Sequence, residues 1–260
     1  MKDGMTKLSV NINKIALLRN ARGRNYPDVA GFAERCLQLG ADGITLHPRP
    51  DQRHARYSDV GALQGVTNAH GCELNVEGYP AAEFLQVVHQ VRPAQCTLVP
   101  DAPGQLTSDH GWHLQRDAEL LRPIIHQLKQ NGIRVSLFVD VDQPQMAIAA
   151  QLGADRVELY TEPYAEQFGG PREAEMLQAF SAAAQRAKQA GLGINAGHDL
   201  NLQNLARFLT LPDILEVSIG HALVAESIDQ GLGAVIAAYR AIIERSFNDH
   251  RAVAGGEQRA

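Results

Sequence analysis

Cysteine is scarce in this chain. Cys36, Cys72 and Cys96 are the whole supply. An odd number at wide spacing excludes a disulfide framework and a CxxC metal site, so they are expected to be reduced core thiols of a cytosolic protein. A basic excess is also missing. Lys and Arg number 24 against 29 Asp and Glu, the net charge is -5 and the pI is near 6.0. That balance argues against a nucleic-acid binder, so any local cluster of Lys and Arg needs a local explanation. No segment approaches the roughly 18 apolar residues of a membrane helix. The opening "MKDGMTKLSVNINK" is broken by polar residues before a signal-peptide core develops, so a protein that stays in the cytoplasm is expected. No GxGxxG follows the first β-rich run, and neither HxH nor HExxH spacing occurs.

What the chain does have is a repeat of elements. With 260 residues and 45% hydrophobic composition it can bury a sizeable core. Eight short β-rich runs recur: 8–12, 43–47, 74–77, 96–99, 134–139, 156–160, 193–196 and 216–219. Between them apolar residues fall at helical spacing, for instance Phe32, Cys36 and Leu39, or Ala118, Leu121, Ile125 and Leu128. "LQLGADGITLH", "LKQNGIRVSLFV" and "AKQAGLGIN" each place a glycine where a helix closes before the next strand. Eight β/α units in about 250 residues predict an α/β TIM (β/α)8 barrel, with an open doubly wound sheet as the alternative. After the eighth run a short extra helix is expected from His221 to about Ile228, then a glycine break and a longer helix to about Glu244. Residues 1–247 read as one barrel domain and 248–260 as a polar tail, expected to be disordered.

A barrel of this kind carries its chemistry at the C-terminal ends of its strands. Asn11, Asn13 and Lys14 end the first run, His47 and Arg49 the second, Glu77 the third, Glu158 the sixth, His198 the seventh, and Gly220 and His221 the eighth. His47, Glu77 and His198 make a general acid/base set. Gly220 and His221, opening the extra helix, suit one anion, while Arg49 and His54 in "HPRPDQRH" suit a second. A substrate, or a pair, phosphorylated at opposite ends follows. The long Pro/Gly/Ser/Thr-rich stretch from Pro100 to Leu114 suits a lid. A mixed metal site from His47, Glu77, His198 and His221 is the competing chemistry; a phosphometabolite-binding barrel without catalysis is the competing class.

At these residues the chain resembles the pyridoxine 5'-phosphate synthase family. "VNINKIALLRNARG", "GADGITLHPRPDQRH", "LNVE", "CTLVP", "VSLFVD", "VELYTEPYA", "NAGHDL" and "SIGHALV" carry the resemblance along nearly the whole chain. It implies a barrel that condenses 3-amino-2-oxopropyl phosphate with 1-deoxy-D-xylulose 5-phosphate to pyridoxine 5'-phosphate, phosphate and water. It implies no metal or organic cofactor, and a homo-octamer. By position, His47 and Glu77 resemble the family's proton acceptors and His198 its proton donor. Asn11 and Arg22, with Gly220 and His221, match positions that bind the amino-ketone phosphate; Arg49, His54 and Thr107 match those that bind the sugar phosphate. Glu158 is expected among the substrate-facing groups. Two departures stand out. Typical members read "NIDHIATLRNARG" and "NAGHGL", whereas here Asn13 and Lys14 replace an Asp-His pair expected to touch the sugar phosphate, and Asp199 replaces a glycine. An acid beside a phosphate is unfavourable unless its side chain turns away, for example to cap the following helix.

Overall fold

Strict alternation within the strands decides the architecture. In "KLSVN", Leu8 and Val10 are apolar while Lys7, Ser9 and Asn11 are polar, and the other strands repeat the pattern. A computed structural model, describing residues 4–101, 105, 107–142 and 146–257, closes eight such strands into a parallel barrel in sequential order. They are β1 (Lys7–Asn11), β2 (Gly43–Leu46), β3 (Glu73–Gly78), β4 (Gln95–Leu98), β5 (Arg134–Val139), β6 (Arg156–Tyr160), β7 (Gly193–Gly197) and β8 (Ile214–Ile219). The helices are α1 (Asn13–Asn20), α2 (Val29–Gln38), α3 (Tyr57–His70), α4 (Ala82–Val91), α5 (Ala118–Gln130), α6 (Met146–Leu152), α7 (Glu162–Gln167), α8 (Glu173–Gln189), α9 (Leu205–Phe208), α10 (His221–Gln230) and α11 (Leu232–Glu257). The barrel reading and the extra helix after the last strand both hold.

The apolar set of each strand, such as Leu8, Val10, Ile44 and Leu46, joins the helices in one large core. The polar set points inward. Ser9 and Thr45 hydroxyls meet at 2.6 Å, and Thr97 Oγ1 donates to Asn75 Oδ1 at 3.0 Å. Buried polar groups are tolerated because they satisfy one another. The barrel floor is ionic: Glu73 takes Arg134 at 2.6 Å and Lys7 at 3.1 Å. Burial works against the Glu73 charge, but these partners hold its pKa at about 2.

Gly40, Gly132 and Gly191 close their helices with positive φ, as the sequence suggests. Leu39 departs from expectation. It follows α2 and stays 43% exposed, while Val29, Phe32, Ala33, Cys36 and Leu37 form the buried face. The C-terminal segment is a second correction. α11 runs on to Glu257 where a disordered tail is expected from 248, because Ser246 and His250, four apart, both donate to the Leu209 carbonyl at 2.6 and 2.8 Å. Asn248, Asp249 and Arg251 lie on a solvated face of that helix. Cys36, Cys72 and Cys96 are free thiols, and burial pushes Cys36 up to about 12. Among the described residues no helix is long and apolar enough to cross a membrane.

Candidate active site

The end of β1 holds both an acid and a base. Asn11 Nδ2 donates to Glu77 Oε2 at 3.4 Å, and Asn11 Oδ1 accepts the Asn13 N–H at 3.0 Å. Asn13 Oδ1 in turn accepts the backbone N–H of His47 at 3.0 Å. Thus Asn13 is occupied by the β2 terminus, where the resemblance implies a contact with sugar phosphate. His47 is buried, with Nε2 3.7 Å from Asp101 Oδ2. Burial first, then the positive charge of Arg49 and the nearby His54 and His198, hold its pKa well below the ordinary histidine range. A neutral imidazole is the form that accepts a proton.

Glu77 is shifted the other way. Burial, then Glu158, Glu216 and Asp101, push its pKa well above the carboxylate range, with Arg49 pulling back. Glu158 is raised to about 8 by burial and Glu216, and its Oε2 has no hydrogen-bond partner. It sits mid-strand in β6, one layer below the strand end where the sequence reading placed it, with its carboxylate over Gly197. Any side chain at 197 would run into it. Glu77, Glu158 and Glu216 repel one another in one low-dielectric barrel, and with burial this pushes the Glu77 and Glu158 carboxyls toward their neutral forms.

His198 follows β7 on the rim. Its ring packs edge-on to Tyr160 at 5.1 Å and near Phe138 at 6.5 Å. With Val99, these two aromatics make the apolar wall of the mouth. Nε2 lies 3.3 Å from Thr107 Oγ1 and Nδ1 lies 3.0 Å from Asp199 Oδ2. Asp199 therefore does turn its side chain, but toward His198. The turn before α9 is capped by Asn201 Oδ1, which accepts from Gln203 and Asn204 N–H at 2.9 and 3.0 Å.

Arg49 is buried and committed to the loop after β4. It donates to Asp101, and Nη1 donates to the Gln105 carbonyl at 2.9 Å. Asp101 also accepts from Ser108 Oγ at 2.9 Å. Sequence reasoning missed Asp101, although its place directly after β4 matched the positional rule applied to the other strands. Residues 102–104 and 106 of the expected lid lie outside the described residues. His54 stands beside His47, ring centroids 6.3 Å apart, with its pKa lowered to about 4 by burial and then Arg49. Gly220 opens α10 without a side-chain cap, and a Cβ there would approach Asn11 Cβ at 3.0 Å. His221 is the first residue of α10 and exposed, as is Lys14 on α1. Arg22 is also exposed, in the turn beyond α1, and makes none of these contacts among the described residues.

The four residues weighed for a metal do not gather into one ligand set among the described residues. The trio that does is Glu162, His198 and Asp199, with ligand atoms within 4.8 Å of one another. Such half-open acidic groups occur commonly without an ion.

A closed parallel barrel whose mouth collects His47, Glu77 and the rim His198 beside an uncapped helix has the architecture of a (β/α)8-barrel enzyme. Residues 8–245 match the family model described as pyridoxal phosphate biosynthesis protein PdxJ, and the chain belongs to that family. It is 56% identical over 246 residues to pyridoxine 5'-phosphate synthase of Xanthomonas campestris pv. campestris (strain B100), covering 92% of this chain and 96% of that one. To the protein of the same name from Xanthomonas axonopodis pv. citri (strain 306) it is 54% identical, covering 90% and 95%. Thiamine phosphate pyrophosphorylase from Pyrococcus furiosus superposes with a TM-score of 0.62 at 14% identity, covering 94% of this chain and 98% of that one, which shows the shared fold alone.

Proposed function

We propose that this chain is a pyridoxine 5'-phosphate synthase, joining 3-amino-2-oxopropyl phosphate to 1-deoxy-D-xylulose 5-phosphate. The observation that carries the chemistry is the juxtaposition of His47 and Glu77 at adjoining strand ends, linked through Asn13 and Asn11, with burial pushing the histidine pKa down and the carboxyl pKa up. The amine of the first substrate attacks the ketone of the second. His198 gives a proton to the departing hydroxyl, which leaves as water as the Schiff base forms. The iminium charge then lies beside Glu77 and favours its carboxylate form; Glu77 releases any proton it holds to solvent at the barrel mouth and then takes the carbon-bound proton. His47 accepts and returns protons while phosphate and water are lost and the ring closes. The uncapped start of α10 at Gly220 and His221 takes one phosphate. Arg49, His54 and Thr107 take the other, with Arg49 exchanging loop acceptors for phosphate oxygens; Arg22 closes from its exposed turn.

The test mixes purified protein with both substrates and follows pyridoxine 5'-phosphate by mass. Product is expected, and Glu77→Gln is expected to lower turnover by at least about 10²-fold with substrate binding nearly intact. Tight binding of either phosphate compound with no product would overturn the synthase reading in favour of a binding barrel. Consumption of a different phosphorylated ketose would move the assignment to that substrate. We extend the proposal to a cytoplasmic homo-octamer, supported by exposed Leu18, Tyr26 and Ile228; a monomeric mass by light scattering of the same preparation would refute that part.

A further inference from the structure

We propose that Asp199 is a positioning residue for His198, fixing the proton on Nδ1 so that Nε2 is the atom that exchanges protons with substrate. The inference rests on the proposed function for its kinetic consequence, but its structural half stands alone. His198 and Asp199 have φ of 94° and 59°, two consecutive left-handed residues without glycine. Such a pair is costly and persists only where its surroundings enforce it. Here they do. Thr161 Oγ1 donates to the carbonyls of Gly197, at 2.7 Å, and His198, while Asn204 Nδ2 donates to the Asp199 carbonyl at 3.0 Å. The result of this backbone path is the 3.0 Å contact between Nδ1 and Oδ2. Asn201 already caps the following turn, so Asp199 is not spent on capping.

The ring has neighbours on both its apolar and its polar sides. Tyr160 and Phe138 fix its plane, Asp199 takes Nδ1, and Nε2 faces Thr107 at the mouth. The charged groups around the pair come from several elements. Glu162 of α7 is the second carboxylate at the ring, with Glu166 and Asp109 beyond it; His47 faces His198 from β2; Lys14 of α1 and His221 of α10 face Asp199. The hydrogen bond to His198 comes first, then the neighbouring His198, His221 and Lys14, and together they hold the Asp199 carboxyl below its ordinary range against burial. Lys14 also offsets its charge near the proposed phosphate site. Nε2, bare at the start, first takes the proton that the attacking amine nitrogen sheds on adding to the ketone; in the dehydration step the C–O bond then breaks with its electrons on oxygen, that Nε2–H completes water, and the nitrogen lone pair forms C=N. Asp199 stays a carboxylate throughout and stabilises the imidazolium before the transfer.

Asp199→Asn and Asp199→Gly test this through ¹⁵N NMR of histidine-labelled protein, with His198 assigned by loss of its signals in His198→Gln. In the parent, neutral His198 is expected with Nδ1 protonated and Nε2 bare. Both variants are expected to shift the proton to Nε2; Asp199→Asn is expected to lower kcat by about 10²-fold with KM changed less than about threefold, and Asp199→Gly, which restores the glycine typical of the family, to lower it less. Asp199→Gly is expected to melt at or above the parent, since glycine adopts this φ freely. An unchanged tautomer in the variants, or an unchanged kcat, overturns the proposal. If the parent makes no pyridoxine 5'-phosphate, the functional reading fails, and the tautomer measurement still decides whether Asp199 sets the ring.

Discussion

Two arginines three positions apart in "LRNARG" do different work. Arg19 is 2% exposed and fully engaged: Nη1 donates to Asp59 at 2.6 Å, Nη2 to the His54 carbonyl at 3.1 Å, and Nε to Asn20 at 3.1 Å. It fastens the far end of "HPRPDQRH" and with it His54. Arg19→Met keeps most of the volume but strands Asp59 without its charge partner. A loss of about 3–5 kcal/mol is expected, read as a thermal midpoint lower by roughly 6–20 °C for a chain of this length. A midpoint within a degree of the parent would show that the buried pair contributes nothing. Arg22, which the resemblance singled out, is exposed. The signal for Arg19 was present: Ile12, Ile15, Ala16 and Arg19 share one helical face, and the first three are core residues. An arginine continuing an apolar stripe needs a buried acid, and only the tertiary structure reveals that the acid is Asp59.

Strands were the most legible elements, because alternation of polar and apolar residues states both their period and which face meets the helices. The two short helices α7 and α9 had no comparable pattern; four to six residues give too few turns for a periodicity. The loop after β4 shows what loop composition hides. Its flexible residues suggested a lid throughout, yet the stretch from Gly111 is a strap: Gly111 N–H donates to Asp140 Oδ1 at 3.0 Å, Trp112 N–H to the Phe138 carbonyl at 2.9 Å, and Trp112 Nε1 to the Leu98 carbonyl at 2.8 Å. Gln105, Thr107 and Ser108 are the part that bends over Arg49 and His198. Gly111 lies against the backbone of Val139 and Asp140 with no room for a Cβ. Gly111→Ala therefore has to lift the strap, at a cost of about 1–3 kcal/mol. Because Asp101 and Thr107 belong to the same connection, KM for the sugar phosphate is expected to rise several-fold more than KM for the amino ketone. Equal changes in the two KM values would show that the strap does not position the lid.

At the scale of the whole molecule, the barrel is a polar tube inside an apolar sleeve, and its stability inherits the protonation of that tube. Glu77, Glu158 and Glu216 all have raised pKa values, with burial the leading cause in each. The sequence showed Glu77 and Glu158 as isolated strand residues; the mutual repulsion arises only when the sheet closes and brings β3, β6 and β8 face to face. For Glu158 the unfolded chain releases its proton near 4.5 and the folded barrel near 8. Between those values the unfolded state binds fewer protons, so stability falls as pH rises, and the contribution is fully present only below about 4.5. Glu73, held at about 2 by its cations, contributes stability that is lost only at much lower pH, so it does not mask the effect. Glu158→Gln replaces the titrating acid with a neutral isostere. Thermal midpoints of parent and variant are expected to be close at pH 5, with the variant higher at pH 8 by about 4 °C or more. The opposite order at pH 8, or a gap that does not change with pH, would mean that Glu158 is ionised in the folded barrel.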